Sequence, residues 1–481
     1  MQSPSPARAG HPDQSLQEDP GAVDCEPADD AEALSQISIG CDLCEAGDLI
    51  AAERQFLRVV ENWPNLPMGH NNLGWIHESR KDFDAAIQSY RTALELNPSL
   101  ILARRNLAEL HFDLGRYSES GHHWDALLSL LPKDTRILDR AIDAALRAGD
   151  LDLASGYAAR QAALTHGGPC PSREGEPLPT PVKARTAAYK TQGSLRHDIE
   201  QLRYLRSKAR VGPEFDPIID GYERVLGSIG SLDPGPRTRL GEAEQALIGD
   251  SYGKIIHVRP TPALAESALS QSWRTSEAEE AYFDHPPGLV VVDEFLSPRA
   301  LAELRAFCLE STIWFANRYA HDRLGAFFRS GFNCPLLVQI ANEISAAFPR
   351  LIGRKHPLLQ MWGFKYRHNQ PRTGPHADFA AVNVNIWITP DEANLDKAGG
   401  GLTIYDVEAP LDWDFEAYNK DGAKISGFLQ AAGAKAISIP YRSNRAVIFN
   451  SDLFHATAPL TFREGYENRR INVTMLYGNR A

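Results

Sequence analysis

No stretch of this chain is apolar for long enough to cross a membrane, and its first thirty residues have neither a basic start nor a hydrophobic centre. Neither a spanning segment nor a secretory leader is therefore expected, and a cytoplasmic protein is. Basic charge is also in short supply. Fifty Lys and Arg face 62 Asp and Glu, for a formal net charge of −12 at pH 7. A broad nucleic-acid or anionic-membrane footprint needs clustered cations, so neither partner is expected, and proteins and small molecules are. Cysteine is scarce as well: Cys25, Cys41, Cys44, Cys170, Cys308 and Cys334 are scattered over 481 residues. That density excludes a disulfide framework and predicts reduced thiols. Cys41 and Cys44 form a CxxC, but no second pair or nearby histidine cluster completes a zinc site, so both are expected in a helical core.

The length predicts two or three domains, each with its own interior. Residues 1–31 are rich in Pro, Ser, Asp, Glu and Gly with almost nothing to bury, and read as a disordered tail. Residues 32–166 repeat with a period of 34: Pro64, Pro98 and Pro132 keep that step, as do Gly47, Gly115 and Gly149, with Lys81 in the missing place. One unit sets Leu73, Gly74, Ala86, Tyr90, Ala93 and Pro98 where large and small residues must alternate for two helices to interlock. The next has Leu107, Ala108, Tyr117, Trp124 and Pro132 at matching places. This pattern resembles the tetratricopeptide repeat. The resemblance implies an α-solenoid whose surface holds a protein or peptide partner.

Five prolines and several glycines mark residues 167–185 as a linker. Residues 186–285 read as a mostly helical connector, with Leu195, Ile199, Leu202 and Leu205 spaced like one helix face. From 286 to 481 the character changes. PPGLVVVDEF reads as a strand and SPRALAELRAFCLEST as a Ser-started helix. After 357, short runs such as MWGFKYR, AVNVNIWIT, GGLTIYD, KAISIP, RAVIFN and RINVTMLYG alternate with turn residues. They predict an antiparallel sandwich or barrel with helices outside, so the whole chain is multidomain α + β.

Within that β-rich region stands His376-Ala377-Asp378, with His455 as the one histidine further on. Ferrous iron in oxygenases is held by two imidazoles and one carboxylate, with the remaining positions open. In extended backbone, residues i and i+2 point the same way, so His376 and Asp378 can supply two ligands from one strand end, and His455, after RAVIFNSD, the third. His-x-Asp also occurs at His11-Pro12-Asp13 and His111-Phe112-Asp113. The first lies in the tail, and the second on a repeat helix, where i and i+2 diverge by about 200°. Downstream, Arg470 with Asn472 on the same strand face offers a guanidinium whose fork suits a dicarboxylate. Arg469 competes with it, since alternation lets only one of the two face the core.

With its H-x-D, distal His and R-x-N, the region 286–481 resembles the Fe(II)/2-oxoglutarate-dependent dioxygenases, within the prolyl-hydroxylase-like superfamily. That family has Ser where Asn472 stands. The resemblance implies a double-stranded β-helix (jelly roll), with His376, Asp378 and His455 on iron and Arg470 on the distal carboxylate of 2-oxoglutarate. Tyr366, Asn472 and Asn385 become further cosubstrate-side candidates; Asn383, Asn385 and Trp387 share one strand face, where alternating amides suggest a polar cavity. Gly399, Gly400 and Gly401 resemble the family's tight turn. The implied cofactors are Fe(II), 2-oxoglutarate and dioxygen, with ascorbate in support, and the implied reaction is hydroxylation of a protein or peptide side chain. The alternatives are a small-molecule hydroxylase docked by its repeats and a repeat adaptor without activity.

Overall fold

In the computed structural model, residues 30–167, 189–229, 237–284, 286–317 and 322–480 are described. Most of the expected tail and of the Pro/Gly linker lie outside these residues. The chain divides into two compact units, 1–148 and 149–481. No helix among the described residues is long and apolar enough to cross a membrane.

The first unit is a succession of helices: α1 (Asp30–Glu45), α2 (Leu49–Asn62), α3 (Pro67–Ser79), α4 (Phe83–Leu96), α5 (Ile101–Asp113), α6 (Tyr117–Leu130) and α7 (Thr135–Ala148). The prolines stop helices because they lack the N–H that the next turn needs. Asp48 and Asp82 cap α2 and α4 by accepting from Ala51 and Ala85. The 34-residue period is visible in packing. Phe56, Tyr90 and Trp124 are each wholly buried. A Cβ on Gly40 would fall 2.4 Å from the Phe56 ring, and one on Gly74 would fall 2.7 Å from the Tyr90 ring. Only glycine permits those approaches. One period later, the Trp124 indole N–H donates to Ser120 Oγ (3.0 Å), which donates to the Ala108 carbonyl (2.8 Å). Cys41 and Cys44 are buried free thiols on α1, pushed up to about 12 and about 11, chiefly by burial.

The turn positions at the same step explain the glycines. Gly47, Lys81, Gly115 and Gly149 have φ of 80, 65, 74 and 79°, the left-handed region. Lys81 holds that conformation against its own Cβ. Lys81→Gly is therefore expected to stabilise the protein by about 1 kcal/mol, read as a higher urea midpoint for the full chain. An unchanged or lower midpoint would remove this account of the turn.

The second unit begins with α8 (Leu151–His166), the eighth helix of the repeat pattern. Then come β1 (Tyr189–Lys190), α9 (Gln192–Ser207), α10 (Asp216–Ser228), β2 (Thr238–Arg239), α11 (Glu242–Ile248) and α12 (Thr275–Asp284). Leu195, Ile199, Leu202 and Leu205 are all buried on α9. Residues 249–274 contain no helix or extended strand. There follow β3 (Leu289–Val292), α13 (Pro298–Glu310, capped by Ser297), β4 (Leu324–Phe327), α14 (Pro335–Ala347), β5 (Leu358–Lys365), β6 (Asn369–Gln370) and β7 (Ala380–Trp387). Last are β8 (Leu402–Glu408), α15 (Gly422–Ala431), β9 (Ala436–Ile439), β10 (Arg445–Asn450), β11 (Leu453–Thr457), β12 (Leu460–Thr461) and β13 (Ile471–Asn479).

Every pairing between these strands is antiparallel. Six form one sheet in the order β3-β10-β7-β13-β5-β4, and three form another, β11-β8-β9. Phe364, Trp387, Val447 and Phe449 of the first sheet share one buried cluster with Leu402, Ile404, Ile439 and Leu453 of the second. The other side of β5 is covered differently. Lys365 is wholly buried there, with its Nζ donating to the Tyr466 hydroxyl at 2.5 Å and lying 4.4 Å from the Trp314 ring centre. Burial drives the Lys365 ammonium far below its usual value.

Candidate metal centre and anion pocket

The two sheets share a cavity of about 900 Å³. Its wall is set by strand parity: on β5 and just beyond it, Gln360, Trp362, Phe364 and Tyr366 alternate inward, and on β7 Asn383 and Asn385 do. His376 lies before β7 and His455 on β11. Their backbones pair reciprocally, with His376 N–H donating to the His455 carbonyl (3.0 Å) and the reverse at 2.8 Å. This bridge holds the imidazole centres 4.5 Å apart. The Asp378 N–H donates to the Ser451 carbonyl at 3.1 Å, which turns its carboxylate into the same space. One donor atom from each of His376, Asp378 and His455 lies within 4.8 Å of the others, the only such metal-capable cluster among the described residues.

Hydrogen bonds orient both imidazoles. His376 Nδ1 lies 3.2 Å from the Gly374 carbonyl and His455 Nδ1 3.0 Å from that of Leu453. A carbonyl accepts only, so each Nδ1 carries the proton and each Nε2 keeps a lone pair. Burial, then the neighbouring His455, pushes His376 down to about 4, which keeps it neutral. Burial works to raise the Asp378 carboxyl. The neighbouring imidazoles of His455 and His376 and the Asn383 amide outweigh it and hold the carboxyl below its usual range.

A chain of amides runs from that carboxylate. Asn383 Nδ2 donates to Asp378 Oδ2 (2.7 Å), Asn385 Nδ2 to Asn383 Oδ1 (2.6 Å), and Asn472 Nδ2 to Asn385 Oδ1 (2.7 Å). Asn472 Nδ2 also donates to Thr474 Oγ1 (2.9 Å), which donates to Asn385 Oδ1 (2.9 Å). An ionised Asp378 only accepts, so it orients every amide in turn. Asn472 consequently commits both amide hydrogens to protein acceptors, while its buried Oδ1 has no partner. As placed, it offers the cavity an acceptor and cannot donate to a carboxylate. Asn385 likewise directs its Nδ2 to Asn383.

Arg470 is wholly buried. Its Nε donates to the Gly400 carbonyl at 2.6 Å, and its guanidinium lies 4.6, 5.4 and 5.8 Å from the ring centres of Tyr366, Trp387 and Tyr441. Nη1 and Nη2 have no hydrogen-bond partner. Burial pulls this guanidinium below its ordinary value, opposed by the two tyrosines. Arg469 turns the other way and pairs with Glu200 on α9 at 2.7 Å. The glycine turn thus has a part in the site: Gly400 (φ 76°) delivers the carbonyl that anchors Arg470, and a Cβ on Gly401 would strike the Ile439 carbonyl at 1.9 Å. The Tyr366 hydroxyl lies 3.3 Å from Thr457 Oγ1.

The sequence reading missed the segment 415–420. One π-helical turn, Glu416–Lys420, brings Phe415, Asn419 and Lys420 to the cavity. The Asn419 side chain donates to the Ala377 carbonyl (2.7 Å), and the Ala377 N–H donates to Tyr418 (3.0 Å). No periodicity announces such a turn; the run of aromatic and acidic residues before it was the available signal.

A family model described as Tetratricopeptide repeat matches residues 67–100. An uncharacterized protein, ycf37, of Cyanophora paradoxa is 31% identical over 87 residues, 17% of this chain and 51% of that protein. The chain thus spans about half the length of this curated relative. Among solved structures, MamA from Desulfovibrio magneticus RS-1 is 16% identical, covering 28% of this chain and 75% of that one with a TM-score of 0.26. SnoN, described as a non-heme alpha ketoglutarate dependent epimerase from nogalamycin biosynthesis, is 14% identical, covering 43% and 83% with a TM-score of 0.32. Scores this low carry no argument about this chain. The N-terminal region is a helical repeat region of tetratricopeptide type, and such repeats in general serve protein contacts.

Proposed function

We propose that this chain is an Fe(II)- and 2-oxoglutarate-dependent dioxygenase that hydroxylates a side chain of a protein or peptide held by its repeats, its two-sheet region being a double-stranded β-helix. One observation carries the reading. A buried guanidinium with both Nη groups unpaired shares a cavity with a His, Asp, His cluster of ligand spacing. Leaving a charged fork buried and unsatisfied is costly, and a carboxylate is the group that relieves it.

In this reading His376, Asp378 and His455 hold the iron. With 2-oxoglutarate and dioxygen, iron so held supplies decarboxylation of the cosubstrate to succinate coupled to insertion of an oxygen atom into a C–H bond. Arg470 binds and orients the distal carboxylate, with Gly400 holding its Nε and three aromatic rings excluding water. Tyr366 stands beside that guanidinium with its hydroxyl on Thr457. Asn383 keeps Asp378 Oδ2 turned toward the imidazoles. A carboxylate at 378, where halogenating relatives have a small residue, favours hydroxylation.

The full chain in air, given Fe(II) and 2-oxoglutarate, is expected to release succinate slowly without substrate. Release should stop with a chelator and be absent in Asp378→Ala. No succinate in any condition, together with tight partner binding by the chain, would favour the adaptor.

A further inference from the structure

The backbone that carries two of the three candidate metal ligands is not itself part of a strand. His376, Ala377 and Asp378 precede β7, which begins at Ala380. In extended chain, neighbouring residues face opposite sides. The N–H groups of His376 and Asp378 bond on one side, to the carbonyls of His455 and Ser451. Ala377 faces the other way and is wholly buried, so its own N–H and carbonyl need partners there.

One turn meets both. The Ala377 N–H donates to the Tyr418 carbonyl (3.0 Å), and Asn419 Nδ2 donates to the Ala377 carbonyl (2.7 Å). A backbone acceptor and a side-chain donor from consecutive residues thus take the place of an adjoining strand. The turn belongs to the segment between β8 and β9 and is of π type, with the Asp421 N–H donating to the Glu416 carbonyl at 2.9 Å. Such turns are rare and gather at functional sites.

This turn is firmly held. Tyr418 is buried in one cluster with Ala377, Ile425, Leu429 and Phe454, the last of these adjoining His455. The Arg480 guanidinium lies 4.1 Å from the Tyr418 ring centre and donates to the Ala409 carbonyl at 2.9 Å. The Ala417 N–H donates to Asp414 Oδ1 (2.8 Å) and the Tyr418 N–H to the Asp414 carbonyl (3.1 Å). A donor mounted on so fixed a base can set the position of what it bonds.

We propose that Asn419 is a positioning residue for the metal. On the reading of His376, Asp378 and His455 as iron ligands, on which this rests, its amide fixes the peptide plane between Ala377 and Asp378. That plane sets the direction of the Asp378 side chain relative to His376. Without the donor, a buried carbonyl is left unpaired, and the peptide rotates to relieve it. Coordination tolerates errors of only about 0.2 Å, so a small rotation is felt at the metal.

The test titrates the full chain with Co(II), which stands in for Fe(II) and has visible bands that report the arrangement of its ligands. Asn419→Leu keeps the volume and removes the donor. It is expected to bind Co(II) about tenfold more weakly and, at saturation, to show bands displaced from those of the parent. Glu416→Ala breaks the exposed ion pair with Lys420 on the same turn and should match the parent in both respects. Circular dichroism checks that each variant is folded. Should Asn419→Leu not fold, Asn419→Ser, too short to reach the Ala377 carbonyl, is read by the same two criteria. An affinity within about threefold of the parent overturns the positioning role. So does a weakened affinity with an unchanged saturated spectrum, since that is lost stability alone. A parent that takes up no Co(II) refutes the metal reading and this role together, whereas a parent that binds it beside an unaltered variant refutes the role only.

Discussion

Arg470→Ala is expected to weaken 2-oxoglutarate binding by about a hundredfold or more, measured by anaerobic calorimetry on the Fe(II)-loaded chain. Two hydrogen bonds from a cation to a carboxylate contribute roughly 1.5–3 kcal/mol each, and burial among three rings removes the water that would compete. Arg470→Lys should recover little of this, because an ammonium cannot present two parallel donors from that position. Arg469→Ala is the control. Its side chain reaches Glu200 on α9, so it should lower thermal stability and leave the 2-oxoglutarate affinity near that of the parent. An Arg470→Ala chain that binds within threefold of the parent would show that the unpaired Nη groups serve something else.

Asn383→Leu is expected to weaken metal binding about ten- to a hundredfold while the protein remains folded, read by competitive titration with Co(II) and by circular dichroism. Leucine keeps the volume and removes the donor at 2.7 Å that turns Asp378 Oδ2. His455 Nε2 lies 3.5 Å from that same oxygen, so a released carboxylate can settle against an imidazole instead of presenting itself to a cation. Asn383→Asp should do more harm, since a second carboxylate would face the first and reverse the amide chain beyond it. Metal affinity within threefold of the parent in Asn383→Leu would mean that the backbone alone positions Asp378.

Much of this architecture can be read from the chain. The 34-residue step is legible because helix stops and left-handed turns demand particular residues, and even Lys81, where glycine is missing, takes the same backbone conformation. Strands β10 and β13 are legible because their apolar runs end at turn residues. The placing of Arg470 and Asn472 on one face followed from strand alternation, as did that of Asn383 and Asn385.

What alternation leaves out is the partner. The family resemblance points Asn385 and Asn472 toward a cosubstrate. In the structure they bond along the chain to Asn383 and Thr474, because β13 and β7 are aligned with Thr474 opposite Asn385. Strand β11 is only five residues long, with polar His455 at its centre, so no apolar run announces it. Nothing local in the sequence announces that Lys365 is buried; His197, Trp314 and Tyr466 from distant parts of the chain close over it. The glycine run is legible as a tight turn; that Gly400 anchors the arginine depends on a contact across 70 residues.

The central claim is that one cavity holds iron and a keto acid together. Its most direct measurement is the visible spectrum of the anaerobic full chain with Fe(II) and 2-oxoglutarate, beside His376→Ala and Arg470→Ala. A weak metal-to-ligand charge-transfer band is expected in the parent, none in His376→Ala, and in Arg470→Ala one that needs far more 2-oxoglutarate to develop. A folded parent that gives no band at saturating iron and 2-oxoglutarate would contradict it.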